Sequence, residues 1–326
     1  MVTTLFGKAP GITLFAYGML SLLMSHSPGF HPTLLRASSL AVAPIPYRPS
    51  QQSISPGDLE LTPKSFDRSV WAAAKPYLDD PLPQLMVSIP DLRGLESTTD
   101  QQLLADILKK TGDQSLKLLK RMPNIICHEK VLTKAKPRGP SWHQQFEYLV
   151  LRHEAAGEIT LDEYRTDKTK SGTAPLTRGN ANAWVLFHPG NLAESRFRFL
   201  GHQRVEGHST LVLAFAQIPD KVRSPGQVSV AGTSIAVLFQ GIAWIDESDF
   251  RIVRLHKDLL APRPDIYLRA LSSDVLFAEV RLPKVAEPLW LPREVKTAWD
   301  FKGEVVEQID EYSRFRLYAT KSKIVL

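Results

Sequence analysis

Cysteine is nearly absent: Cys127 stands alone in 326 residues. A chain with one thiol has no internal disulfide, so its stability has to come from a packed core. The adjacent His128 does not activate that thiol, because neighbouring strand residues point to opposite faces and form no thiolate–imidazolium pair. Also missing are a phosphate-cradling glycine loop, a GxSxG nucleophile elbow, an HExxH helix and paired-cysteine metal motifs. No two of the nine histidines have the i, i+2 spacing that places two ligands on one strand face. The carboxylates of Asp162, Glu163 and Asp167 are spaced faintly like a calcium loop. They lack its central glycine and terminal glutamate, and Arg165 and Lys168 repel a cation. The expectation is no catalytic residue, no metal and no cofactor.

Acidic residues are absent from the first 57 positions, where Lys8, Arg36 and Arg48 are the only cations. Four more cations (Arg314, Arg316, Lys321, Lys323) crowd the end of the chain. The formal charge of +6 therefore sits mostly at the two ends. A near-neutral middle has no basic face to follow a phosphate backbone, which excludes nucleic acid as a partner.

Long apolar runs are few. The longest, from Ile12 to Met24, follows Lys8 and suits the h-region of an export signal; it is shorter than the ~20 residues of a membrane span. Ala41-Val42-Ala43 has the small-x-small form of a cleavage site, but far downstream and followed by Pro44. No cysteine follows closely, so a lipid-modified lipoprotein is excluded. Residues 1–37 read as an export signal or an N-terminal tether, and the protein as periplasmic or envelope-associated, with membrane association peripheral at most. Residues 38–64, rich in Ser, Gln and Pro, read as a linker.

Residues 65–123 form a helical segment. Ser65 or Asp67 caps a first helix running through Ala72–Ala74 to Pro76. A second follows Asp100, with Leu104, Leu108, Thr111, Ser115, Leu118 and Met122 at three- and four-residue intervals, a lysine-rich back, and a stop at Pro123. Gly112 marks a point where it kinks or splits. This stripe fits a helix packed on a sheet. Residues 124–326 alternate with period two in ten stretches (125–132, 144–152, 159–166, 196–202, 210–217, 235–246, 250–257, 275–282, 290–299 and 305–318), separated by Gly- and Pro-rich turns. The fold class is α+β, mostly β: an antiparallel, incomplete β-barrel wrapped around one or more helices, forming one domain with residues 65–123. The polar stretch 167–182 is long enough to be a flap.

The stretch Ser234–Leu255, SIAVLFQGIAWIDESDFRIVRL, reads as a long strand, an acidic turn at Asp246-Glu247-Ser248-Asp249 and a returning strand. Ile235, Val237 and Phe239 point one way, and Ala236, Leu238, Ile242 and Trp244 the other, with a bulge near Gly241 able to swap the last two. A strand with two dry faces must be covered on both sides. The acidic turn reads as a solvated tip. The aromatic residues of the β region form core or line a cavity. In the second case Leu238, Ile242, Trp244, Phe215, Phe277 and Trp299 line an apolar ligand pocket.

The hairpin GIAWIDESDFRIVRL is similar to the Trp–Ile–Asp hairpin of outer-membrane lipoprotein-sorting and carrier proteins, the LolA-like superfamily. The strings FHPGNLAESRFRFLGHQRVEGHSTLVLAFAQIP, IPDLRGLE, LKRMPNIICHEKV and YSRFRLY resemble a group of exported proteins of acidobacterial type, over roughly residues 65–320. The superfamily resemblance implies a half-barrel around helices with a cavity that takes acyl chains, and it supplies no catalytic residue. Two roles stand open. One is a binding protein holding a lipid or acyl chain; the other is a structural or protein-interaction module of the envelope whose core is filled by its own side chains.

Overall fold

The computed structural model describes residues 12–16, 18–22, 67–155, 158–169, 183–223, 225–230 and 233–318. The linker 38–64, the Ala41-Val42-Ala43 site, most of the polar flap (170–182) and the terminal cations Lys321 and Lys323 lie outside them.

Within the apolar run the backbone is extended, as β1 (Ile12–Ala16) and β2 (Gly18–Leu22). Asp67 accepts from the Ser69 backbone N–H and caps a 3-10 turn over Arg68–Trp71, in place of the longer first helix expected. After further turns come α1 (Leu82–Ser88), the two-residue β3 (Glu96–Ser97) and α2 (Leu104–Arg121). Then follow β4 (Ile125–Lys136), β5 (Ser141–Ala155), β6 (Glu158–Asp167), β7 (Ser195–Val205), β8 (His208–Gln217), β9 (Gly226–Val230) and β10 (Thr233–Val237). The chain ends through β11 (Phe239–Asp246), β12 (Ile252–Leu259), β13 (Leu268–Val280), β14 (Leu289–Phe301) and β15 (Glu304–Leu317).

Eleven strands make one antiparallel sheet in the order β3-β7-β8-β11-β12-β13-β14-β15-β4-β5-β6. Its outer strands, β3 and β6, do not pair with each other, so the barrel stays open. Most neighbours follow one another in sequence. Three pairs do not: β3 with β7, β8 with β11, and β15 with β4, the last along nearly its whole length, from Val305↔Lys136 to Leu317↔Ile125. The link from β6 to β7 therefore crosses from one edge of the sheet toward the other. A second sheet has the order β10-β9-β1-β2.

The expected strand 235–246 is broken. β10 pairs with β9 and β11 pairs with β8 and β12, so the chain changes sheets at Leu238. Around that switch alternation fails: Ala236, Val237, Leu238 and Phe239 all enter one core cluster, whatever their parity. The register shift against β12 falls between Trp244 and Ile245, not at Gly241.

Beyond the break, period two governs. In β8 and β11, Val212, Ala214, Ala216, Ile242 and Trp244 face one way, and Leu211, Leu213, Phe215, Ala243 and Ile245 the other. Both faces are dry. The first is covered by Trp71, Leu78, Leu85 and Leu92 of the N-terminal turns. The second is covered by Ile107, Leu119 and Met122 of α2 and its C-terminal end, with Trp184 and Phe187 of the crossover. Burial at about 25 cal/mol per Å² of apolar surface makes these two covers the main source of stability.

α2 runs unbroken through Gly112, whose missing Cβ lets the crossover in close: an added methyl would lie 3.1 Å from the Phe187 carbonyl oxygen. The buried stripe of α2 is Ile107, Thr111, Gly112, Ser115 and Leu119, with Leu104, Leu108 and Leu118 on its margins. The lysine-rich back faces solvent, with i, i+4 pairs Lys110–Asp106 and Lys109–Asp113.

Candidate functional site

The six residues expected to line one pocket lie in two separate cores. Leu238, Ile242, Trp244 and Trp299 belong to the core under the N-terminal turns, and Phe215 and Phe277 to the core under α2. All six are buried. Trp244 is fixed on both sides: its indole N–H donates to Gln203 Oε1 at 2.8 Å, and the Arg254 guanidinium lies 4.8 Å from its ring centre. Gly241 fits beneath the ring of Phe215, which a Cβ there would approach to 2.5 Å. They do not gather round one cavity; Phe215 alone of them borders the small pocket described below.

A cleft of about 250 Å³ opens at one end of the α2 face. One wall is the last turns of α2 (Ser115, Lys117, Leu118, Arg121), and the other is the segment after the acidic turn (Asp249–Ile252). Glu287, Pro288 and Trp290, leading into β14, close it, and Trp184 of the crossover reaches it. Typical small-ligand sites hold about 300–1,000 Å³, so this one admits a ring or a short length of chain rather than a whole lipid.

The cleft is preorganised. Trp290 donates its indole N–H to the Ile252 carbonyl at 2.5 Å, stacks edge-on with His208 at 5.7 Å, and carries the Arg251 guanidinium 4.5 Å from its ring centre. Glu287 holds Arg121 at 2.5 Å and Lys117 at 3.4 Å. Three donors at the cleft still have no partner among the described residues: Arg121 Nη2, Arg251 Nε and Trp184 Nε1. Unmade hydrogen bonds of buried donors cost about 1–3 kcal/mol each, more for charged groups.

The acidic turn is not a bare solvated tip. Asp246 is buried; it accepts from the Ser248 backbone N–H at 2.7 Å and from the Ser248 hydroxyl, and its other oxygen meets His208 Nδ1 at 2.6 Å. Burial works against ionisation of Asp246, but these hydrogen bonds outweigh it and hold the carboxyl below its ordinary range. Glu247 pairs with His202 and Asp249 with Arg251. The turn is thus a clamp that sets one wall of the cleft.

Other histidines have carboxylate or amide neighbours: His256 with Asp258 at 2.9 Å, His153 with Asp162 at 3.1 Å and His128 with Gln145 at 3.3 Å. Burial lowers the His256 pKa, yet Asp258 and Asp274 more than offset it and raise the value overall. Among the described residues no three His, Cys, Asp or Glu side chains gather as metal ligands. Cys127 is buried, and burial, then the nearby Glu129, pushes its thiol well above the ordinary range.

No family model and no curated protein matches this sequence. Its neighbours among solved structures include DUF1329 and LolA-superfamily proteins. A DUF1329 family protein from Desulfovibrio piger is 10% identical with a TM-score of 0.38, over 66% of this chain and 95% of that one. A LolA superfamily protein from Nitrosomonas europaea is 13% identical with a TM-score of 0.33, over 67% and 94%. A putative outer membrane lipoprotein-sorting protein domain from Vibrio parahaemolyticus is 13% identical with a TM-score of 0.34, over 66% and 95%. No residue role transfers at this distance.

Trp184 was among the aromatic residues read as core or cavity lining, but sequence reasoning passed over Arg121, Arg251 and Glu287, because they come from three separate segments that only the sheet topology brings together. Two signals were readable: Arg251 lies two residues beyond the acidic turn, and Trp290 two residues after Pro288, near the start of a strand.

Proposed function

We propose that this protein is an exported, non-catalytic binding protein of the cell envelope. It holds the end of an apolar ligand, such as a lipid or acyl chain, in the cleft between α2 and the β11–β12 turn. The observation that carries this reading is the pairing of aromatic walls with cationic groups: Trp184 and Trp290 beside Arg121 and Arg251, each of which keeps one guanidinium nitrogen without a hydrogen-bond partner among the described residues. Apolar carbon would lie on Leu118, Ile252 and the indoles, while an acceptor head group would meet the guanidinium N–H groups. The sites proposed within the sheet give way to this one, because both faces are filled by the protein's own side chains. No helix among the described residues is long and apolar enough to cross a membrane.

The test is titration with 1-anilinonaphthalene-8-sulfonate, followed by displacement with dihexanoyl phosphatidylglycerol. Saturable one-to-one binding, lost in Leu118→Asp and displaced by the lipid, is expected. Absence of saturable binding removes the reading. The filled core favours a second role, a structural or protein-interaction module of the envelope. Its expected signature is a stoichiometric cross-linked partner without any displaceable small ligand.

A further inference from the structure

Lys257 sits on β12 at the position where alternation demands an apolar side chain: Val253, Leu255 and Leu259 share its parity and all are buried. The lysine is itself 8% exposed. Its ammonium nitrogen lies 5.6 Å from the ring centre of Phe239. Among the described residues it has neither a hydrogen-bond acceptor nor a carboxylate within ion-pair range. An isolated buried charge costs several kcal/mol, and native proteins normally pair it.

The side chain reaches a small, partly enclosed pocket of about 40 Å³, with Val185 and Leu186 of the crossover on one side and Phe215 and Phe239 on the other. Each polar group around it is already engaged through at least one atom. Gln217 Oε1 accepts from the Phe239 backbone N–H at 2.8 Å, Asn191 Nδ2 donates to the Val185 carbonyl at 3.0 Å, and Glu194 is held by Arg223 Nε at 2.8 Å. Lys257 is the uncommitted member of the set. At about 10–15 Å³ of such space per enclosed water, the pocket holds about three waters. That admits the three heavy atoms of a carboxylate.

We propose that Lys257 is the counter-ion of a carboxylate group that enters this pocket between the crossover and strands β8, β11 and β12. The site is separate from the cleft described above. Trp184 faces the cleft, whereas its neighbours Ala183 and Val185 line the lysine pocket, so the crossover is the wall between them. Neither site depends on the other. The same desolvation that leaves the ammonium unpaired pushes its pKa down to about 8, and a bound carboxylate would reverse that displacement.

The experiment is site-resolved acetylation of the full chain as a function of pH, mapped by mass spectrometry, with sodium acetate or sodium decanoate present. Without carboxylate, Lys257 is expected to reach half-maximal labelling well below the surface lysines. Carboxylate is expected to protect it at least tenfold and to move its profile upward. Protection by acetate alone identifies a small free acid; protection by decanoate at far lower concentration identifies the head group of an alkyl chain. Both support the site. Calorimetric affinity for the protecting acid is expected to fall at least tenfold in Lys257→Met. No protection by either acid, or equal affinity in Lys257→Met and the parent, overturns the proposal. If the variant does not fold, protection in the parent protein decides alone. Binding of 1-anilinonaphthalene-8-sulfonate at the cleft is expected to be unchanged in Lys257→Met.

Discussion

Arg165 grips Glu129 with two parallel hydrogen bonds, from Nε at 2.5 Å and from Nη2, across the buried face of β4, β5 and β6. Glu129 is fully buried, and the Arg165 side chain is 7% exposed. Removing one member of such a pair leaves the other charge buried, typically at about 3–5 kcal/mol. Asp310 and Tyr312 also favour the guanidinium here, which places the cost at the lower end. Glu129→Gln is expected to lose about 3 kcal/mol in urea unfolding. The double replacement Glu129→Met with Arg165→Met is expected to recover most of it.

Lys257 gives a test by pH. Burial holds its pKa at about 8 in the folded protein, against an ordinary 10.5. Below pH 8 the folded state carries the full penalty of a desolvated ammonium. As pH rises from about 8 toward 10.5 the unfolded chain binds the proton more tightly than the folded one, so stability rises. At 1.36 kcal/mol per pH unit the penalty is about 3 kcal/mol. Lys257→Met is expected to be more stable than the parent at pH 7 by up to that amount, with the gap closing by pH 10. A gap that stays constant with pH would show that the lysine is not desolvated.

Asp246 works with the opposite sign. Its carboxyl is held below the ordinary range, so it adds stability above the unfolded value of about 3.9. That contribution is lost as pH falls through its lowered folded value. The stability difference between the parent and Asp246→Asn is expected to be constant near neutrality and to shrink below about pH 4. Chemical denaturation at a series of pH values measures it. Because Asp246 also clamps the wall that carries Arg251, the same variant is expected to weaken ligand binding at the cleft.

Gly241→Ala tests the seat of Phe215. A methyl there would lie 2.0 Å from the His256 carbonyl oxygen and 2.5 Å from the Phe215 ring. Neither the ladder partner nor a fully buried ring can step aside cheaply, and overpacking of this kind costs about 1–3 kcal/mol or more. A lower melting temperature is expected, with near-ultraviolet circular dichroism showing loosened aromatic packing.

The open antiparallel sheet was legible because alternation survives on most strands. The N-terminal half of β13 was not, since Arg269, Ser272, Ser273 and Asp274 give it no apolar stripe; it is held by pairing with β14. The cover formed by the N-terminal turns escaped because proline chops it into pieces too short for a helical period. Yet Trp71, Leu78, Leu85 and Leu92 recur every seven residues, and all are nearly inaccessible. The lysine in the Val253–Leu259 alternation was equally readable, as a charge in an apolar slot. What no pattern could supply was the meeting of α2 with the β11–β12 turn and Glu287, which is a fact of topology.

The pairing of β15 with β4 has a kinetic consequence. A chain emerging from its N-terminus leaves β4 with one bare hydrogen-bonding edge until its partner, nearly two hundred residues later, arrives. Contacts this distant close slowly, and an unpaired strand edge recruits other chains meanwhile. Assembly of this part of the sheet is therefore expected only once β15 has been made, and the bare edge of β4 is open to self-association while it waits.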